Sequence, residues 1–173
     1  MPFAVTHVLL AIIAVDLYRD YAAKHKKYFT LHTIFIAGLA GLLPDIDIPL
    51  NWFLNLIGAE IVHRTFTHTP LFGLIFLIPA FIYWKLGKHK MGMYFFATTF
   101  GIMMHLLLDF LIAPDQAGGV LLFYPFSYAA FDIGVLGNYT TIQTMQIYAA
   151  ADAILLMLWL WHEEIRHKIS DYI

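Results

Sequence analysis

Residues 91–113 of the chain read MGMYFFATTFGIMMHLLLDFLIA. A membrane-spanning helix needs about 20 mostly apolar residues, so this stretch is long enough to cross a bilayer. It carries one histidine, His105, and one aspartate, Asp109, four residues apart. Such a pair projects from one helix face and can bind one ion or form a structural pair inside a bundle. Because ionisable groups are costly at membrane depth, the pair is a candidate functional site.

The composition of the whole chain is that of an integral membrane protein. Of its 173 residues, 61% are hydrophobic and 13% are charged, whereas soluble domains carry roughly a quarter charged residues. The length predicts a single domain over residues 1–173. No basic run is interleaved with aromatic residues, so we expect no nucleic-acid partner. The chain has no cysteine, so any metal must be held by nitrogen and oxygen ligands, as zinc, manganese, iron or magnesium can be.

The apolar segments predict an all-α fold, a polytopic transmembrane bundle of about five membrane helices. The predicted helices are residues 3–18, 31–43, 70–86, 91–113 and 141–161. The first two are short for a full span. Residues 114–139 are too polar and too rich in glycine to cross, and they predict an outer re-entrant or interfacial loop.

The basic residues predict the orientation of the bundle. Of ten lysines and arginines, only Arg64 falls on the opposite side from the rest. The other nine are Arg19, Lys24, Lys26, Lys27, Lys85, Lys88, Lys90, Arg166 and Lys168. Since short cytoplasmic loops are enriched in such residues, we expect the N-terminus outside the cytoplasmic (inner) membrane and the C-terminus inside the cell. This topology places His7, the loop after the second helix, and the His105–Asp109 pair on the non-cytoplasmic face.

Two aspartates, Asp45 and Asp47, stand between prolines in the segment PDIDIP, residues 44–49. Pro44 ends the preceding helix and stiffens the turn. If the segment is extended, side chains two apart share one face, and both carboxylates face the same site. The alternative is an ordinary polar turn at a helix end.

Residues 63–70, HRTFTHTP, combine two histidines, an arginine and three threonines. The spacing of His63 and His68 is poor for one regular helix, so we expect a bent segment or a loop-to-helix junction. Arg64 suits a phosphate, because its planar guanidinium binds oxygens bidentately. Thr67 or Thr69 can cap the next helix or orient a ligating histidine. The alternative is an interfacial loop with incidental histidines.

The remaining polar residues are less specific. His7 lies on an apolar helix and is as compatible with a satisfied polar residue as with a ligand. Asp152 lies mid-helix among alanines and must be paired or protonated there. The histidines toward the predicted cytoplasmic side are interpreted as interfacial polar residues; they are His25, His32, His89, His162 and His167.

Four strings in this order, together with the early His7, resemble a known family. They are LPDID at 43–47, HRTFTHT at 63–69, HLLLD at 105–109 and PFS at 125–127. They resemble the membrane-bound, metal-dependent hydrolases whose bacterial members are described as LexA-regulated inner-membrane proteins. The resemblance covers roughly residues 3–130.

That family is in turn distantly similar to the zinc phospholipases C and P1-type nucleases, helical enzymes whose zinc cluster uses histidine and aspartate. The resemblance implies that Asp45, His63 or His68, His105 and Asp109 are metal ligands. It also implies that Asp109 bridges two ions.

The combined prediction is a membrane-embedded hydrolase of a phosphoester, a phosphodiesterase or phospholipase-like enzyme with its site at the non-cytoplasmic face. The predicted metal ligands are His7, Asp45, His63, His68, His105 and Asp109. The expected cofactor is one or two Zn²⁺ ions, with Mn²⁺ or Mg²⁺ as alternatives, which would activate water and orient phosphoryl oxygens. Arg64 would bind the phosphate, and Asp47 would be a further ligand, an orienting group or a general base. Membrane lipids and a lipid or lipid-linked phosphate are the expected partners, and the sequence leaves the oligomeric state open.

Two other classes compete with this prediction. A non-enzymatic metal-ion or proton carrier would use the same cluster together with Asp152, but it needs polar residues that continue toward the other side. A membrane scaffold without chemistry does not explain why the histidines and aspartates gather on one face.

Overall fold

The computed structural model describes residues 4–23, 27–60, 63–112 and 119–168. Lys24, His25, Lys26, the last residue of the predicted fourth helix, Ala113, and residues 114–118 of the predicted outer loop lie outside the described residues. Within the described residues the fold is all-helical, which confirms the predicted class. The extended pairing found there is a single antiparallel bridge between Val120 and Phe131.

The α-helices follow one another with short 3₁₀ and π turns between them. Their bounds are α1 Ala4–Leu17, α2 Leu31–Ala40, α3 Asp47–Asn55, α4 Pro70–Ile75, α5 Leu77–Lys85, α6 His89–Ile112 and α7 Thr141–His167. A π-helix, Tyr18–Ala23, continues α1, and 3₁₀ helices at Pro44–Ile46 and Phe66–His68 precede α3 and α4.

Fewer helices are long and apolar enough to span a membrane than the five predicted from sequence. Among the described residues, α6 and α7 qualify, and α2 with Pro44–Asn55 makes a third candidate as a pair bent by 53°. The difference arises where proline interrupts an apolar run, as Pro44 does after α2. α1 has only 14 residues, or about 21 Å of helix, against a hydrocarbon core of about 30 Å.

The predicted third helix is broken in two by a second proline. α4 ends at Ile75 and α5 begins at Leu77. Pro79 has no N–H to donate to the carbonyl four residues earlier, which is that of Ile75, and its ring crowds that carbonyl. The segment Pro70–Lys85 is therefore a shorter apolar helix pair.

α1, α2 and α6 pack against one another around a small apolar core that includes Ile12, Ile34 and Ala97. A glycine allows α6 to approach α2 closely, because a Cβ on Gly101 of α6 would collide with the carbonyl oxygen of Ala37 in α2. Small residues at such interfaces let helix backbones come together in membranes. This approach brings the next turn of α6, which carries His105, against the end of α2.

The segment after α6 lies against the C-terminal end of that helix. Val120 is buried with Ile102 and Leu106 of α6, and the Ile133 amide donates to the Phe110 carbonyl over 2.8 Å. Its aromatic side chains include Phe126, which is 95% exposed. The described part of the predicted interfacial loop thus covers the helix end that carries Asp109.

Candidate metal centre

The structure brings together all eight residues that the sequence singled out. We call them the His105 cluster: His7, Asp45, Asp47, His63, Arg64, His68, His105 and Asp109. They come from α1, the 3₁₀ turn before α3, the start of α3, residues 63–68 and α6. Four of them, His7, His68, His105 and Asp109, are at most 1% exposed. Long-range packing, and not sequence proximity, therefore assembles the cluster.

One part of the cluster is sealed from solvent and contains His7, His105 and Asp109. The rings of His7 and His105 stack with centroids 3.8 Å apart. Asp109 Oδ1 lies 3.8 Å from His7 Nε2, and Asp109 Oδ2 lies 3.6 Å from His105 Nε2. One ligand atom from each residue lies within 4.8 Å of the others, as metal ligands must.

A second part, made of Asp45, His63 and His68, meets the same distance condition. It adjoins the first part, because Asp45 Oδ1 lies 3.3 Å from His68 Nε2 and 3.8 Å from His105 Nε2. Its side chains of Asp45 and His63 are 22% and 33% exposed. The cluster is thus closed on the His7 side and open on the His63 side.

The hydrogen bond to His105 fixes which ring nitrogen can ligate. Nδ1 lies 2.7 Å from the carbonyl oxygen of Gly41, and since a carbonyl only accepts, Nδ1 carries a proton. Nε2, the other ring nitrogen, faces the carboxylates of Asp45 and Asp109 at 3.8 and 3.6 Å. Nε2 is buried and has no hydrogen-bond partner among the described residues. A nitrogen placed between two carboxylates needs a proton or a metal ion there, and a carbonyl-bound histidine is the usual arrangement at metal sites.

His68 has the same arrangement. The Thr67 hydroxyl donates its only proton to Asp47 Oδ2 over 3.0 Å, so it must accept from His68 Nδ1, 3.2 Å away. Nε2 of His68 then faces Asp45 Oδ1 at 3.3 Å and is the ring atom that could bind a metal. Burial lowers the pKa of His68, and the neighbouring Asp45 carboxylate raises it only in part, so the ring stays neutral near pH 7. Neutral imidazole is the form that binds metals.

Asp47 supports the histidines around it. Its Oδ1 lies 2.9 Å from His63 Nδ1, and its Oδ2 accepts from the Arg64 amide over 3.2 Å. The segment is a 3₁₀ turn leading into α3, so the extended conformation considered for residues 44–49 is wrong. The two carboxylates nevertheless both contact His68, Asp45 at Nε2 and Asp47 at Nδ1. Among the roles predicted for Asp47, orientation of a histidine has the most direct contacts.

Arg64 lies in the cluster with a left-handed backbone, at φ 66°. Non-glycine residues rarely adopt this conformation, which costs about 1–3 kcal/mol and persists where surrounding contacts enforce it. Its guanidinium donates to Asp109 Oδ2 over 3.0 Å. Its role in phosphate binding stays a prediction. The cluster contains three carboxyl groups for one guanidinium, a composition that suits a bound cation.

A second buried polar group was missed by the sequence reasoning. We call it the Arg19 cluster: Asp16, Arg19, Asp20, His162, Glu163 and His167. The Arg19 guanidinium lies 2.6 Å from Asp16 and 2.8 Å from Asp20, and Nη2 lies 2.7 Å from His167 Nε2. His162 and His167, interpreted above as interfacial, thus belong to this group. The spacing of Asp16 and Arg19 was the only local signal.

Asp152 is buried on α7, at 8% exposure, and its Oδ1 has no hydrogen-bond partner among the described residues. It belongs to neither cluster. Whether it is paired or protonated, as expected for a mid-helix carboxylate, stays a prediction.

An all-helical chain with membrane-spanning helices and a buried cluster of histidines and carboxylates defines an integral membrane protein with a candidate metal centre. The chain belongs to the YdjM inner membrane protein family, whose match covers residues 1–169. No curated protein and no solved structure matches the chain. The family confirms the membrane part of the resemblance given above; hydrolase activity, regulation by LexA and similarity to P1-type nucleases stay predictions.

Proposed function

We propose that the protein is a metal-dependent hydrolase of a phosphoester, with a phospholipid or a lipid-linked phosphate as substrate. The observation that carries the proposal is the free Nε2 of His105, held by Gly41 and aimed at two carboxylates. Membership of a LexA-regulated hydrolase family with distant similarity to zinc phospholipases C belongs to the same proposal, and so does a site on the non-cytoplasmic face.

The residues present fit one or two Zn²⁺ ions, with Mn²⁺ or Mg²⁺ as alternatives. His7, His105 and Asp109 would hold one ion, and Asp45, His63 and His68 would hold a second. Bound there, the ions would supply Lewis acidity to a phosphoryl oxygen and lower the pKa of water.

Protein groups around the ligands would position the substrate. Asp47 holds His63 and the Arg64 amide in place. The Arg64 guanidinium lies beside Asp109, where it can donate to a phosphoryl oxygen and stabilise developing charge. Substrate would approach from the His63 side, which is the exposed side of the cluster.

A lipid substrate is favoured by the surface next to this opening. α3 begins at Asp47 and exposes large apolar side chains along its length. Trp52 and Phe53 are each 69% exposed, and Leu56, directly after α3, is 82% exposed. An apolar helix of this kind suits the bilayer interface, where it would place a lipid headgroup beside the cluster.

The test combines metal content with activity in detergent-purified protein. After equilibration with zinc and manganese and removal of free ion, elemental mass spectrometry should find stoichiometric metal in the wild type and none in His105→Gln/Asp109→Asn. The matched control, His32→Gln/Asp132→Asn, removes an exposed histidine and an exposed aspartate and should retain metal. Both proteins are then given phospholipids and lipid phosphates, with headgroup or phosphate release followed by mass spectrometry. A folded double variant with full metal content and activity would refute the proposal.

A second candidate function, transport of a metal ion or proton, is favoured by the Arg19 cluster and Asp152. They provide buried polar groups toward the other end of the molecule. Against it, the core residues Ile12, Ile34 and Ala97 lie between the two clusters. Zinc entry into proteoliposomes loaded with a fluorescent zinc indicator, without hydrolysis of any lipid tested, would select the carrier.

A further inference from the structure

An apolar cavity lies between α1, α2, α5 and α6, at the end of α1 away from His7. Its volume is about 450 Å³, and its lining includes Val15, Phe29, Trp84, Met93 and Phe96. Volumes of this size are typical of ligand pockets. Val15 and His7 are eight residues apart on α1, or roughly 12 Å along the axis, so this cavity is separate from the His105 cluster.

A second, basic pocket of about 330 Å³ lies at the turn between α5 and α6. Its lining includes Lys27, Lys88, His89 and Lys90 and no acidic residue among the described positions. The three lysines are exposed, and no ion pair engages them within the described part of the chain. Their charge is thus available for an anion.

Aromatic side chains join the two pockets. Trp84 lines the apolar cavity, and its ring centroid lies 4.6 Å from that of His89, which lines the basic pocket. Tyr28 lines the basic pocket, and its neighbour Phe29 lines the apolar cavity. Tryptophan and tyrosine are enriched where hydrocarbon meets headgroups. A ligand that fits both pockets has an anionic head and an apolar chain, with the boundary at Trp84.

We propose that this pair of pockets binds an anionic phospholipid, with the phosphate among Lys27, Lys88 and Lys90 and an acyl chain in the cavity. Lysine binds phosphate as a point charge, and basic pockets between membrane helices recognise anionic lipid headgroups. A zwitterionic lipid fills the apolar cavity equally well but lacks the net negative charge that the three lysines attract. The site is independent of the proposed hydrolase activity.

The test uses native mass spectrometry of the full-length protein released from micelles, titrated with phosphatidylglycerol or phosphatidylcholine of the same acyl chains. The wild type should bind phosphatidylglycerol at least about tenfold more tightly than phosphatidylcholine. The variant Lys27→Gln/Lys88→Gln/Lys90→Gln should lose that preference. The control Lys85→Gln/Arg166→Gln/Lys168→Gln removes three charges outside the basic pocket and should keep it.

A second variant, Ala14→Phe, places a ring in the apolar cavity and leaves the lysines intact. It should weaken binding of both lipids several-fold, with the melting temperature in detergent reporting that it is folded. Equal affinity of the wild type for the two lipids would overturn the proposal. An equal loss of lipid preference in the two triple variants would also overturn it, because it would indicate an effect of general surface charge. Displacement of the lipid by millimolar glycerol phosphate would overturn it too, because it would indicate a soluble phosphate ligand.

Discussion

The His105 and Arg19 clusters contain similar residues and differ in where the arginine lies. Each has three carboxylates, one guanidinium and at least two histidines. In the Arg19 cluster the guanidinium lies within 3.9 Å of all three carboxylates. In the His105 cluster, Arg64 contacts Asp109, while Asp45 Oδ1 faces the ring nitrogens of His68 and His105.

The difference distinguishes an ion network centred on an arginine from a candidate metal centre. Arg19 contacts all three carboxylates of its cluster, so the close ligand atoms of Asp16, His162 and Glu163 already share a cation, although the two clusters have the same excess of carboxylates over guanidinium groups. In the His105 cluster Arg64 contacts Asp109, whereas Asp45 contacts imidazole nitrogens, which are possible metal ligands. A list of clustered ligand types therefore does not define a metal site until the position of the guanidinium is known.

The largest expected effect is a loss of stability when the Arg19 cluster loses its guanidinium. Arg19→Gln leaves three buried carboxylates without their central counter-ion, and breaking such a pair costs about 3–5 kcal/mol. Thermal unfolding in detergent measures the loss. Arg166→Gln, which removes an exposed arginine beside Tyr21, should change stability by less than about 0.5 kcal/mol. Equal stability of wild type and Arg19→Gln would show that the guanidinium is not what holds this cluster.

Added zinc should stabilise the folded protein only by binding to the His105 cluster. Zinc at 100 times its dissociation constant adds about 2.7 kcal/mol to the free energy of unfolding. The zinc-induced rise in melting temperature should disappear in His105→Gln/Asp109→Asn and persist in Asp16→Asn/Glu163→Gln. A rise that survives the first variant and vanishes in the second would reverse the assignment of the two clusters.

Closer packing at Gly101 should disturb the His105 cluster from a distance. Gly101→Ala places a methyl group against the Ala37 carbonyl, and overpacking of this kind costs about 1–3 kcal/mol. It should also weaken metal binding, since α6 must shift and the contact of His105 with Gly41 lengthens. Chelator competition measures the affinity, and Leu107→Ala, an exposed position on the same helix, serves as the control. Unchanged metal affinity would show that the approach of the two helices does not set the geometry of His105.

Removal of the Asp47 carboxylate, which contacts His63, should have a smaller effect on metal affinity. Asp47→Asn keeps the size of the side chain but weakens its bonds to His63 and Thr67. Changes to such supporting groups typically lower metal affinity about 10–100-fold. The measurement is again chelator competition, beside the exposed Asp132→Asn. A loss as complete as that of the His105/Asp109 variant would make Asp47 a ligand itself.

The smallest effect is a pH dependence in the Arg19 cluster. Burial raises the pKa of Asp20, but contacts with Arg19 and His167 outweigh it and hold the pKa below its ordinary value. A depressed carboxyl pKa adds stability above the unfolded-state value of about 3.9, and this stability is lost as the pH falls through the folded-state pKa. Asp20→Asn should therefore flatten the acid side of the stability curve, measured by thermal unfolding between pH 3 and pH 6. Curves of the same slope would remove Asp20 from the acid response.

The sequence predicted the residues of the His105 cluster better than the architecture around them. The candidate ligands could be predicted because polar residues such as His105, Asp109 and those at positions 63–68 are rare in apolar segments. The break at Pro79 and the 3₁₀ turn at Pro44 lowered the number of spanning helices. The Arg19 cluster escaped prediction because its two halves lie 148 residues apart and each half alone resembles an ordinary polar helix end.

That separation has a consequence for how the protein is made. Asp16 lies near the end of α1 and Arg19 in the π-helix that follows it, whereas Glu163 and His167 lie on α7. During synthesis Arg19 has only Asp16 and Asp20 as neighbours, and the cluster closes when α7 arrives. We therefore expect a chain that stops before α7 to leave Arg19 without its contacts to Glu163 and His167, so that this cluster ties the N-terminal part of the fold to α7.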